Sequence, residues 1–109
     1  VAEAAAGFER SVLLALEEVE NALVSYLREG ERRRLLEASV EASRRAAGLA
    51  GDLHRQGLAS FLEVLEAQKV QFLAERELAL SEAAVTLNLV VLYKVLGGGW
   101  TPPAPRESR

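Results

Sequence analysis

The sequence predicts an all-α fold, a long antiparallel helical hairpin with coiled-coil-like seams. Alanine, leucine and glutamate dominate its 109 residues, of which 50% are hydrophobic but only 6% aromatic. That balance suits long, thin helical packing better than a thick globular core. The three prolines all lie beyond position 101, so no imino acid interrupts the body of the chain. A turn signature, Gly57-Leu58-Ala59-Ser60, divides that body into two helical stretches.

The first stretch is read as a helix over about residues 3–55. Val12, Leu16, Val19, Leu23 and Tyr26 recur at alternating spacings of four and three, the period of a coiled-coil seam. The stripe falters over Arg28-Glu29-Gly30-Glu31-Arg32-Arg33-Arg34 and resumes at Leu36, Val40, Ala47, Ala50 and Leu53 in a different phase. A phase shift or local irregularity near Gly30 is expected rather than a full break, since one glycine costs only about 1 kcal/mol relative to alanine. Ala42, Ala46, Ala47, Gly48, Ala50 and Gly51 give this helix a small-residue surface close to the turn.

The turn is placed over residues 56–60 and the second helix over about 61–96. Gly57 supplies the left-handed geometry that ends the first helix. Ser60, followed three residues later by Glu63, forms a capping box that starts the second. The expected seam of the second helix is Leu65, Phe72, Leu73, Leu80, Ala84, Leu87 and Val91, broadened by Val85, Leu89 and Leu92. Gly97-Gly98-Gly99 stops it before Trp100, which is read as an anchor against a neighbouring helix. The tail, residues 101–109, is proline-rich and polar and is expected to be disordered.

At 1.5 Å per residue the first helix is on the order of 80 Å long and the second about 55 Å. Counting outward from the turn brings Leu96 roughly level with Val19, so Phe8, Val12, Leu13 and Leu16 have no partner within the chain. Other segments of a longer protein, or another copy, must cover them, and the isolated chain is expected to self-associate. The same count sets Arg32, Arg33 and Arg34 level with Glu82.

Composition excludes several classes of function. With no cysteine, neither disulfides nor thiolate metal sites hold the fold, and a single histidine cannot build a multi-histidine cage. A net charge of −3 with mixed signs lacks the basic surplus that nucleic acid binding needs. The chain begins at Val1, and residues 1–7 lack the basic start and cleavage context of a signal peptide, so it is expected to be a piece of a longer protein. The longest apolar run, Val85 to Val95, is broken by Thr86, Asn88 and Lys94 and is shorter than the roughly 20 residues of a spanning helix. No transmembrane helix is expected, nor any cofactor or metal.

Leu62, Glu63, Glu66 and Lys69 fall on one face next to the turn, where several copies could converge into a ring. Rings of carboxylates are a device for cation-preferring constrictions. The plain reading of Glu63 and Glu66 is a cap and a solvated face, and without a neighbouring histidine they make no case for an enzyme. His54, at the end of the first helix, is read as a C-terminal residue interacting with the helix dipole.

The order Leu53-His54-Arg55-Gln56-Gly57-Leu58-Ala59-Ser60-Phe61-Leu62-Glu63-Val64-Leu65-Glu66-Ala67-Gln68, followed by a helix ending in Leu92-Tyr93-Lys94-Val95-Leu96-Gly97-Gly98-Gly99-Trp100, closely resembles the C-terminal part of TolC-like outer membrane efflux proteins. Within them it looks most like the NodT-type lipoproteins that serve resistance-nodulation-division pumps. Ala15-Leu16-Glu17-Glu18-Val19-Glu20-Asn21-Ala22-Leu23 resembles the long helix of that family's second repeat, so the resemblance covers about residues 8–100. It implies a homotrimeric channel in the cell outer membrane, continued by a periplasmic α-barrel of which this chain is a helical segment. The membrane barrel lies outside the chain, and the implied partners are a periplasmic adaptor protein and an inner membrane pump.

The resemblance further implies that the turn sits at the periplasmic entrance. Glu63 and Glu66 match acidic residues of the innermost rings, Leu62 a constricting apolar position and Lys69 an often basic one. Gly57, Leu58, Ala59 and Ser60 become the adaptor contact. His54 stands where the family typically has a latching tyrosine, and Ala59 where some members carry a basic residue. The alternative to a channel is a helical-hairpin interaction module, adaptor-like or dimerising through its exposed stripe.

Overall fold

In the computed structural model, residues 2–98 are described, with the side chains of residues 2, 3 and 98 left aside. Trp100 and the tail therefore lie outside the described residues. The described residues form two helices, α1 (Ala2–Arg55) and α2 (Phe61–Gly98), joined by one short turn. It divides into a unit of Glu29–Val85, which contains the turn, and a unit made of Val1–Arg28 and Thr86–Arg109.

The turn unit is a helical hairpin closed by two caps. At the end of α1 the Leu58 N–H donates to the Leu53 carbonyl at 2.8 Å and the Gly57 N–H to the His54 carbonyl at 2.9 Å. This is the Schellman pattern, and it requires the left-handed Gly57, whose φ is 77°. At the start of α2 the Ser60 hydroxyl accepts from the Glu63 N–H at 3.2 Å, while the Glu63 carboxylate accepts from the Ser60 N–H at 3.0 Å. Each satisfies a donor that the first turn of a helix otherwise leaves open.

Along α1 of this unit the buried or half-buried positions include Glu29, Arg33, Leu36, Val40, Ser43, Ala47 and Ala50. Along α2 they include Val64, Ala67, Gln71, Ala74, Leu78, Ser81 and Val85. Both sets alternate three and four residues, so this is a coiled-coil seam. α1 runs unbroken through Gly30, and Glu29 and Arg33 keep the seam's period there. The expected phase shift is thus absent: charged residues occupy two seam positions, which interrupts the hydrophobic pattern but leaves the helical geometry intact.

The seam of α2 also differs from expectation. Val64 and Ser81 are buried, whereas Leu65, Phe72, Leu73 and Leu80 are exposed. Ala84 and Val85 are half-buried as expected, but nearer the turn the intrachain seam is displaced from the row of largest apolar side chains. Small residues fill it instead, with Val40 and Ser81 the fully buried side chains. Hydrophobicity alone marks every face that meets another helix, and so cannot say which face meets the helix of the same chain.

Polar contacts cross the seam. Ser81 Oγ donates to Glu29 Oε1 at 2.8 Å, and Arg32 joins Glu29 at 3.1 Å to Glu77 at 3.2 Å. Arg32 therefore reaches Glu77, five residues nearer the turn than the expected Glu82, while Arg33 pairs with Glu37 and Arg34 with Glu31 along α1. Closer to the turn, Arg44 bridges to Glu75 at 3.0 Å, and Glu75 also accepts from Gln71 at 3.1 Å.

In the second unit, the end of α2 lies against the first half of α1. Val19, Ala22 and Tyr26 of α1, with Asn88, Leu92 and Val95 of α2, are buried or half-buried. Asn88 donates to the Ser25 carbonyl at 3.3 Å. Phe8, Val12, Leu13 and Leu16 are exposed, as expected of residues beyond the reach of α2, and so are Leu23, Leu87 and Val91, three residues assigned to seams. An 18-residue window within Phe61–Gly97 reaches a mean hydropathy of 1.5, long and apolar enough to cross a membrane by length and composition. The continuous apolar run from Val85 to Val95 is shorter than this window.

Candidate functional site

The nine residues singled out in the sequence, His54, Gly57 to Ser60, Leu62, Glu63, Glu66 and Lys69, all fall in the turn unit within one stretch of chain. Ala59 is half-buried and the others are exposed. Leu58 presents 72% of its surface and Leu62 presents 63%, so the end of the hairpin is apolar as well as charged.

Leu62, Glu66 and Lys69 follow one another at spacings of four and three, which stacks them on one face of α2. That face is opposite the seam of Val64, Ala67 and Gln71. Glu63 stands apart, because one of its carboxylate oxygens is engaged by the Ser60 N–H. The two glutamates thus have different local duties: Glu63 starts the helix, and Glu66 stands free on the outward face.

His54 is engaged inside its own turn. Its Nδ1 lies 2.9 Å from the Ala59 carbonyl oxygen, and its ring centroid is 5.8 Å from that of Phe61. Asp52 and Arg55 form an ion pair beside it on α1. Sequence reasoning placed His54 at the helix end but missed both contacts, which depend on how the turn folds back. The sequence distance of five residues to Ala59 was the only available signal.

Two open grooves lie away from the turn, one lined by Glu18, Asn21, Ser25, Asn88, Val91 and Val95, the other by Phe8, Glu9, Val12 and Leu13. Among the described residues no group of three or more His, Cys, Asp or Glu side chains is arranged to hold a metal ion.

A more extensive feature is the outward apolar surface of the hairpin. From the turn into α2, Leu58, Leu65 and Phe72 recur every seven residues, as do Leu73 and Leu80 on α2, and all are exposed. On α1, Leu35, Ala38, Ala42 and Leu49 form a matching exposed row of leucines and alanines. Seven residues are close to two helical turns, so each row forms a second seam on a helix whose first seam is already occupied. Helices with two seams are suited to lie between neighbours on both sides.

Comparison with known proteins agrees with this geometry. The family model described as "Outer membrane efflux protein" matches residues 1–98. The chain is 36% identical over 93 residues to nodulation protein T of Rhizobium leguminosarum bv. trifolii, covering 85% of this chain and 20% of that protein. It is 34% identical over 98 residues to the pyoverdine export outer membrane protein OpmQ of Pseudomonas putida, covering 90% of this chain and 21% of that protein. Among solved structures it is similar to the outer-membrane channel OprN, with a TM-score of 0.76 and 42% identity over 93% of this chain and 23% of that one. The chain thus spans about a fifth of the length of the relatives it matches. With its two-helix fold, twin seams and capped turn, this chain belongs to the outer membrane efflux protein family.

Proposed function

We propose that the chain is the C-terminal periplasmic helical segment of a homotrimeric outer membrane channel that exports small molecules as part of a tripartite pump. The observation that carries this reading is the second, outward apolar row on each helix of the turn unit. Leaving Leu58, Leu65, Phe72, Leu73 and Leu80 in water is costly, at about 1.5–3 kcal/mol for each side chain that burial would cover. A wall of side-by-side helices covers both flanks of every helix. The membrane barrel belongs to segments outside this chain, and the family's members are channels rather than enzymes.

In this reading Leu62, Glu66 and Lys69 line the constriction with Glu63 beside them, and Gly57, Leu58, Ala59 and Ser60 meet the adaptor. Three copies of the Glu63 and Glu66 pair brought together repel one another, so closure must come from helix packing, and opening relieves the repulsion.

The test is made in the parent protein in its membrane. Charged substitutions on the outward row, Leu65→Glu and Phe72→Glu, are expected to abolish the trimer on native gels, while a charge change of equal size at the exposed Glu41, Glu41→Gln, leaves it intact. Trimers that survive both outward substitutions would overturn the barrel-wall reading and favour a free-standing interaction module.

A further inference from the structure

We infer that His54 is the positioning residue of the turn, a side-chain clasp whose Nδ1–H ties the end of α1 to the Ala59 carbonyl and so joins the two helix caps. A carbonyl oxygen can only accept, so the 2.9 Å contact requires the hydrogen to sit on Nδ1 of His54. The Schellman pattern fastens Gly57 and Leu58 to α1, and the capping box fastens Ser60 to α2. Ala59 lies between these fastenings, and its carbonyl is the group His54 takes. The ring also rests against Phe61, the first residue of α2, with the planes inclined at 51°.

Two consequences follow for the ring of His54. Nδ1 is already engaged within the subunit, leaving Nε2 as the ring nitrogen for any outside partner, an acceptor when the ring is neutral and a donor when it is charged. Nδ1 carries its hydrogen in both forms of the ring, so the clasp does not require the ring to be charged. The charged groups nearest it along the chain are Asp52 and Arg55 on α1, which pair with each other, and Glu63 on α2, which is held by the Ser60 N–H. None of them competes for the Ala59 carbonyl, because an ionised carboxylate donates nothing and Arg55 is paired with Asp52.

The inference stands apart from the channel reading and is tested on this 109-residue chain. Long-range proton–nitrogen correlations on the labelled ring are expected to show the Nδ1–H tautomer at neutral pH. His54→Leu is expected to speed amide exchange at Gly57, Leu58 and Ser60 roughly two- to tenfold, leaving the Val40 amide unchanged. His54→Asn, which keeps a donor near the place of Nδ1, restores most of the protection. An Nε2–H tautomer, or turn amides indifferent to His54→Leu, would each overturn the clasp.

Discussion

The Ser81 hydroxyl donates to the Glu29 carboxylate at 2.8 Å across the seam of the turn unit. Ser81 is fully buried, and the Glu29 side chain retains only 19% of its exposure. A charge so placed needs its partners, since a half-satisfied polar layer costs more than an apolar one. Glu29 has two of them, Ser81 from α2 and Arg32 from its own helix.

Ser81→Ala removes one of those partners while leaving Arg32 in place. The expected loss is about 1 kcal/mol, the net value of a hydrogen bond to a group still partly solvated and otherwise paired. Ser81→Leu is expected to cost more, about 1–3 kcal/mol, by overfilling a closed position. Urea unfolding at one fixed protein concentration checks both, through a lowered midpoint with an unchanged slope.

Gly57 provides a test of the turn. Its φ of 77° is strained for any residue with a Cβ, yet an added Cβ there would meet no atom within 4 Å. Gly57→Ala is therefore expected to destabilise by about 1–2 kcal/mol through backbone conformation alone. A thermal melt that shifts equally for Gly57→Ala and Gly48→Ala, the latter at an exposed helical position, would contradict that assignment.

The capping box separates shape from charge at Ser60 and Glu63. Ser60→Ala deletes the oxygen that accepts the Glu63 N–H and is expected to cost about 1 kcal/mol. Glu63→Gln keeps an acceptor for the Ser60 N–H, so its effect on helix content by circular dichroism is expected to be small.

That tolerance makes Glu63→Gln with Glu66→Gln a clean probe of the proposed constriction. In the parent protein the double variant is expected to assemble normally but to lose cation preference in single-channel recordings. An unchanged preference would remove the carboxylates from the constriction.

Glu75 supplies a pH dependence. Hydrogen bonds from Gln71 first, and then Arg44, hold its carboxyl below the usual carboxylate value. A lowered folded value means that the stabilisation is present above the unfolded value and is lost as pH falls through the folded one. Nuclear magnetic resonance titration should show the Glu75 value rising toward normal in both Gln71→Ala and Arg44→Ala, and the acid limb of the stability profile should flatten.

Much of this was legible in the residues themselves. Gly57, Ser60 and Glu63 announce the turn because caps are local chemistry, complete within six or seven residues. The absence of proline before position 101, together with the helix-forming composition, accounts for two helices of nearly the expected extent. The stretch from Leu53 to Gln68 likewise carried enough particular residues to point to the efflux family, which the comparisons show.

Only the tertiary structure decided which face of each helix meets which neighbour. Leu65, Phe72 and Leu80 look like a seam by period and hydrophobicity, yet the intrachain contact uses Val64, Ala74 and Ser81. Periodicity reports that a face is apolar, but two apolar faces on one helix are equivalent until a partner is packed against one of them. The same holds for Glu29, Arg32 and Glu77, whose pairing depends on the stagger of α2 against α1, and for His54, whose partner becomes evident only when the chain has turned back on itself. Local chemistry thus determined where the helices begin and end, and packing determined what each of their faces is for.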